Sequence, residues 1–260
     1  MADPDFVSSV SNFKDMIQLF KERDVFGDES LNVFINLLKD KIPFAITRVN
    51  DGEMSSFVRS QGQRFGRTQH TIITQKLIDN LTEVLSHRQH NYWTGIVCHE
   101  CFPDLYRIAK DIVGDYEHVT RAVVFTNRNW AKFVSEFGNL VSDRNIKWIG
   151  SEDQNLSMLE KIYDIEKIQT PIKLPQINAW ELYDKLKDKV DMFDEGDLVC
   201  LSCGPVSRVL IKDWFKQRPD ITFMGVGSTF DPMTRNVWHA CHRGWLRTGF
   251  NETKKCSGCN

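Results

Sequence analysis

An alternation of short, apolar, β-rich runs with stretches of helical periodicity restricts the fold more than any other feature of this sequence. The runs fall at residues 44–48 (FAITR), 92–98 (YWTGIVC), 121–126 (RAVVFT), 146–149 (IKWI), 197–202 (DLVCLS) and 221–226 (ITFMGV). Helical patterns separate them, at about 70–87, 103–113, 129–140, 155–163, 177–192 and 206–217. Such alternation predicts a mostly parallel sheet, because parallel neighbours need crossover connections that a helix supplies. The unbroken apolar character of AVVF and LVCL suits strands buried on both faces. Two more helices are expected ahead of the first strand. Phe13, Ile17 and Phe20 share one face of the first; Leu31, Phe34, Ile35 and Leu38 share one face of the second, with Ser30 a candidate N-cap. The expected fold class is α/β and Rossmann-like, with helices on both faces of the sheet. It is expected as one domain over 1–260, with a helical lead-in over 1–40 and an irregular Cys/His-rich tail over 229–260.

Composition narrows the function. A chain of 260 residues, 41% hydrophobic, can bury a substantial core. The net charge of -2, with both signs interspersed, gives no nucleic-acid footprint, so no such partner is expected. No apolar run approaches the ~20 residues that span a bilayer. The start MADPDFVSSV lacks the basic and apolar regions of a signal peptide, and the expected location is cytoplasmic. An odd count of 7 cysteines in such a chain argues against a disulfide framework, leaving metal binding or burial.

Open parallel sheets bind ligands beyond the carboxyl ends of their strands. The first exit reads FAITRVNDGEMSSFV. Asn-Asp-Gly is ordinary turn chemistry, but Met54, Phe57 and Val58 follow at helical spacing, so strand–turn–helix is expected rather than a hairpin. Asp51 and Glu53 then sit at the ligand edge, with Gly52 permitting the sharp turn between them. Two carboxylates so placed suit Mn²⁺ or Mg²⁺, hard cations that commonly bridge protein to phosphate; a turn with a helix cap is the other reading. In CLSCGPVSRVL, Gly204 allows close backbone approach, Pro205 suits the first helical position, and free N–H groups there favour an anion. In GVGSTFD, Gly227, Ser228 and Asp231 fit a backbone lying against a nucleotide. Asn127 and Arg128 of TNRNW could meet a base, ribose or phosphate, or serve as a cap and a solvated charge. CHECFPD brings His99 and Glu100 near the edge as candidate general bases.

Two of these stretches together resemble a known family. Ile46-Thr47-Arg48-Val49-Asn50-Asp51-Gly52-Glu53 resembles the Asp-x-Glu motif of the GT-D glycosyltransferase fold, first described as a domain of unknown function. LSCGPVSRVLIKDWFKQRPDITFMGVGSTFD resembles that family's closing segment of strand, Gly-Pro, helix, strand and Gly-containing turn. The likeness covers about residues 40 to 235. It implies metal-dependent transfer of a sugar from a nucleotide-diphosphate donor, expected to be uridine-linked, to a carbohydrate hydroxyl. By this resemblance Asp51 and Glu53 correspond to the metal and diphosphate motif, and Arg48 to the basic residue before it. Gly204, Pro205 and Ser207 fall on the Gly-Pro helix start, and Gly227 and Asp231 in the last turn. Asn50 departs from the small residue expected before Asp-Gly-Glu.

If the anomeric centre is inverted, a base must take the acceptor proton, with Asp231, Glu100 and His99 the candidates in that order. The tail has no counterpart in the resemblance. His239, Cys241 and His242 followed by Cys256 and Cys259 could supply a structural zinc site, although the Cys/His half has poor finger spacing; packed, reduced thiols are the alternative. Cys98/Cys101 and Cys200/Cys203 read as core or edge packing. Two rival functions use the same residues: a metal-dependent phosphohydrolase or nucleotide-processing enzyme, and a non-catalytic sugar-nucleotide binding module.

Overall fold

A computed structural model describes residues 9–65 and 71–239, together with His242 and Trp245. The lead-in forms α1 (Val10–Glu22) and α2 (Glu29–Lys39), which bury the apolar stripes read from the sequence. Asp28 rather than Ser30 caps α2, its Oδ1 accepting the Leu31 N–H at 2.9 Å. There follow β1 (Ala45–Val49), α3 (Asp51–Met54), β2 (Arg64–Phe65), β3 (Thr71–Ile72), α4 (Gln75–Ser86), β4 (Tyr92–Ile96), α5 (Pro103–Val113) and β5 (Val119–Arg121). The remainder comprises α6 (Trp130–Val141), β6 (Ile146–Ser151), α7 (Leu156–Tyr163), β7 (Gln169–Leu174), α8 (Tyr183–Leu186), β8 (Leu198–Ser202), α9 (Pro205–Gln217), β9 (Thr222–Gly225) and α10 (Asp231–Arg235).

Seven strands form one parallel sheet in the order β5-β4-β1-β9-β8-β6-β7, while β2 and β3 make a separate antiparallel pair. The chain steps outward from β1 through β4 to β5, crosses to β6 and β7, then returns through β8 and β9 to close against β1. Side chains alternate across this sheet as the pleat requires. Ile46, Trp148, Leu198, Cys200 and Met224 pack towards α1, α2, α6 and α7. Ala45, Val49, Ile149, Val199, Leu201 and Phe223 pack towards α4, α5, α8 and α9. Each fully buried Leu, Ile or Phe contributes roughly 1.5–3 kcal/mol, and both faces supply many. No helix among the described residues is long and apolar enough to cross a membrane.

Several expectations are corrected. The AVVF run is not a strand: β5 ends at Arg121 and residues 122–125 turn. Its apolar residues are buried nonetheless, because Phe125 stacks on Phe133 at 4.5 Å and meets Phe34 at 5.5 Å. Strand β7 carried no apolar signal; QTPIKL is an edge strand, mostly exposed, where Pro171 is tolerated. The helix expected over 177–192 breaks into a 3₁₀ turn Ala179–Leu182, α8, and a second 3₁₀ turn Val190–Met192. Trp214 Nε1 donates to the carbonyls of Leu186 and Lys187 at the end of α8. The helix expected from 70 starts at Gln75 instead, capped by Thr74. Past 229 the chain is not wholly irregular, since α10 follows the last strand.

Candidate functional site

The exits of β1, β9, β8 and β6 open into a cavity of about 250 Å³, lined by residues from 48 to 53, 202 to 208 and 227 to 239 among others. The Asn-Asp-Gly-Glu stretch builds one wall. Glu53 Oε2 accepts the Asn50 N–H at 3.3 Å, closing α3 with a helix-start contact. Glu53 Oε1 accepts from Arg208 Nε and Nη2, both at 3.0 Å. The pair is buried, Glu53 and Arg208 each being 5% exposed. Asp51, by contrast, is exposed and lines the cavity. The two motif carboxylates therefore diverge: one reaches the open cavity and the other is committed to an arginine.

This division bears on the expected cation. Mg²⁺ is usually held by one or two carboxylates plus substrate phosphates, with waters completing the shell. Asp51 fits that pattern. Glu53 as placed does not, since both its oxygens accept from protein donors. Among the described residues, no group of three His, Cys, Asp or Glu side chains comes together to hold a metal ion.

Gly204 opens α9 at φ 68° and ψ −150°, backbone that side-chain-bearing residues rarely adopt, and Pro205 occupies the first helical position. Ser207 does not face the cavity; it is fully buried, donates to the Gly204 carbonyl at 2.6 Å and accepts from Arg208 Nη1 at 2.8 Å. Gly204→Ala is expected to cost about 1–3 kcal/mol, read by urea unfolding, because the turn cannot relax without moving the helix start.

Gly227, at φ 52°, and Ser228 line the opposite wall. A Cβ on Gly227 would lie 2.8 Å from Arg48 Nη2, so the glycine makes room for a guanidinium. Arg48 is buried at the end of β1, with Nη1 donating to Thr229 Oγ1 at 3.3 Å. Ser202 Oγ donates to the Gly227 carbonyl at 2.7 Å, tying the β8 exit to this turn. Asp231 is buried at the start of α10. Its Oδ2 accepts from His239 Nε2 at 2.7 Å, while its Oδ1 has no hydrogen-bond partner among the described residues. Arg235 Nη1 lies 3.9 Å from the same Oδ2.

His239, expected as a zinc ligand, is thus a partner of Asp231, and Cys241, Cys256 and Cys259 lie outside the described residues. His242 is buried beside Trp130. Burial above all, then the neighbouring His239 and Arg48, pushes its pKa down to about 3 and keeps the ring neutral. His99 and Glu100 do not join Asp231: His99 lines a second cavity of about 230 Å³ at the β4 and β5 exits, with Cys98, Tyr106 and Arg121. Asn127 and Arg128 also lie apart from the first cavity. The Asn127 carbonyl accepts from Trp245 Nε1 at 2.8 Å, and Arg128 pairs with Asp28 at 3.2 Å, fastening the tail and lead-in.

Arg208, Arg235 and Ser202 were missed by sequence reasoning. The usable signal for Arg208 was a lone charge inside the apolar pattern VSRVLI, one turn beyond Gly-Pro. Cys200 and Cys203 are buried, and that burial pushes both thiols up to about 12. Neither is expected to react with iodoacetamide at pH 8 in the folded protein, whereas exposed Cys101 should; peptide mass spectrometry before and after denaturation checks this.

The parallel sheet, its two covering layers and the edge cavity define an α/β fold. Three solved structures share it. One is a domain of unknown function 1792, at TM-score 0.62 and 13% identity over 95% of this chain and 89% of that one. A second, described as the domain of unknown function 1792 with a distinct glycosyltransferase fold, aligns at TM-score 0.58 and 13% identity over 94% and 88%. A third, described as a new glycosyltransferase from Streptococcus sanguinis, aligns at TM-score 0.61 and 14% identity over 86% of each chain. No protein-family model and no curated protein matches the sequence.

Proposed function

We propose that the chain is a glycosyltransferase that moves a hexose or pentose from a nucleotide-diphosphate donor, uridine-linked, to a carbohydrate hydroxyl. One observation carries this reading. A single cavity at the carboxyl edge of the sheet gathers two buried guanidinium groups, the start of α9, the exposed carboxylate of Asp51 and the buried carboxylate of Asp231. Sugar transfer places developing negative charge on the leaving diphosphate. Arg48 and Arg208 offer fixed positive charge there without reorganisation, and the N-terminus of α9 adds the field of its helix dipole. Asp51 is the residue that would hold Mn²⁺ or Mg²⁺ together with the diphosphate; when bound, the cation supplies Lewis-acid stabilisation worth several kcal/mol. Asp231 is the base that takes the acceptor proton on Oδ1, with His239 orienting its other oxygen.

A thermal-shift screen of nucleotide sugars, with and without Mn²⁺, followed by product analysis over an acceptor panel, tests the proposal. Uridine-diphosphate sugars are expected to raise the melting temperature by mass action, and sugar is expected to appear on an acceptor. Acceptor-independent release of nucleotide would favour the phosphohydrolase, and binding without turnover the non-catalytic module.

A further inference from the structure

The turn that follows β6, Ser151-Glu152-Asp153-Gln154-Asn155, reaches the cavity wall through a hydrogen-bond relay whose direction is forced by chemistry. The indole of Trp148 can only donate, so it fixes the Gln154 amide with Oε1 towards it, at 3.0 Å. Nε2 is then left to donate to Ser202 Oγ at 3.1 Å. Having accepted there, Ser202 directs its own O–H to the Gly227 carbonyl at 2.7 Å. Gly150 makes room for this chain: a Cβ there would overlap Gln154 Oε1 and lie 2.5 Å from Trp148 Nε1.

The same turn grips the far end of the segment that begins at Gly227. The Asn155 N–H donates to the Thr234 carbonyl at 2.7 Å, and Asp153 Oδ1 accepts from Arg235 Nη2 at 2.8 Å. Between the two grips lie Ser228 and Asp231, both on the cavity wall. Trp148 adds a third contact, its ring meeting that of Phe230, the residue before Asp231, edge-on at 5.9 Å. We propose that Gln154 is a positioning residue for sugar transfer. Through Ser202 it holds the Gly227 turn, and with Asn155 and Asp153 it fixes the segment 227–235 so that Asp231 meets the acceptor. This rests on the glycosyltransferase reading. A segment held at both ends has little freedom to shift, and a misplacement of about 1 Å at a reacting group costs on the order of 10²-fold in rate.

Gln154→Glu tests the relay with almost no change of shape. The carboxylate can still accept from Trp148, but it has no N–H for Ser202. The Ser202 hydroxyl is therefore expected to turn and donate to it, releasing the Gly227 carbonyl. Deuterium exchange read by mass spectrometry is expected to speed up about tenfold over 226–235, the scale of one lost hydrogen bond, and to stay at the wild-type rate over β1. The kcat for transfer is expected to fall about 10–10²-fold. In an Asp231→Asn background the same substitution should remove no more than about twofold, because the residue it positions no longer accepts a proton. Melting curves establish folding. If Gln154→Glu does not fold, Ser202→Ala takes its place with the same expectations, since it keeps the Trp148–Gln154 contact and removes the donor to Gly227. Unchanged exchange over 226–235, or unchanged kcat, overturns the inference. A full further loss in the Asp231→Asn background overturns it too, because Gln154 would then act by a route other than the base; in all three cases the glycosyltransferase reading stands. A wild type that transfers sugar to no acceptor overturns both.

Discussion

Asp51→Asn is expected to lower turnover by about 10²–10³-fold while leaving the protein within about 1 kcal/mol of wild-type stability. The size follows from the several kcal/mol that a divalent cation contributes to a leaving diphosphate, each 1.4 kcal/mol being a factor of ten. The tolerance follows from position. Asp51 is exposed at the first residue of α3, where losing its charge forfeits the favourable field of a helix start, about 0.3–1 kcal/mol. Steady-state transfer assays with matched urea unfolding curves measure both quantities. Glu53→Gln supplies the contrast, since it neutralises a carboxylate locked to a buried arginine and should cost roughly 3–5 kcal/mol of stability. If Asp51→Asn is the variant that unfolds and Glu53→Gln the one that melts normally, the division of labour argued for this motif is reversed. An Asp51→Asn enzyme with near-normal turnover removes Asp51 as the residue that holds the cation.

That contrast also shows what the sequence could and could not disclose. The turn after β1 was legible as strand–turn–helix because Met54 and Phe57 follow at helical spacing, and Met54 is indeed buried. Val58, counted in the same pattern, is 59% exposed, so the reading succeeded on part of its support. LVCLS is a central strand as its continuous apolar character implied. AVVF has the same character without a ladder, because an apolar loop that dives between α2 and α6 satisfies burial without pairing strands. QTPIKL went unread for the opposite reason: an edge strand can be polar and can hold a proline. The partition of Asp51 from Glu53 was not legible at all. It depends on Arg208 standing beside Glu53, a contact between residues 155 apart in sequence. The Asp231–His239 pair likewise needed the fold, because a spacing of 8 along an irregular chain predicts no contact.

Asp231→Asn is expected to lower kcat by about 10²–10⁴-fold, the range for loss of a positioned general base, with affinity for uridine diphosphate changed by no more than about twofold. The substitution keeps the volume of a buried side chain and removes the basic oxygen. Its Oδ1 is enclosed, belongs to a residue that lines the cavity and has no donor among the described residues, an arrangement that costs on the order of 1–3 kcal/mol unless a ligand hydroxyl completes it. An acceptor hydroxyl placed there would both satisfy the orphaned oxygen and present its proton. Oδ2 is already engaged by His239, which fixes the carboxylate's orientation and leaves Oδ1 as the working atom. His239→Gln should accordingly cost less than Asp231→Asn, since an amide can still donate to Oδ2. Equal losses in the two variants would move the proton-accepting role to the imidazole, with Asp231 orienting it. Turnover by Asp231→Asn within a few-fold of wild type would take both residues out of the chemistry and leave the unpaired oxygen as a structural expense with another purpose.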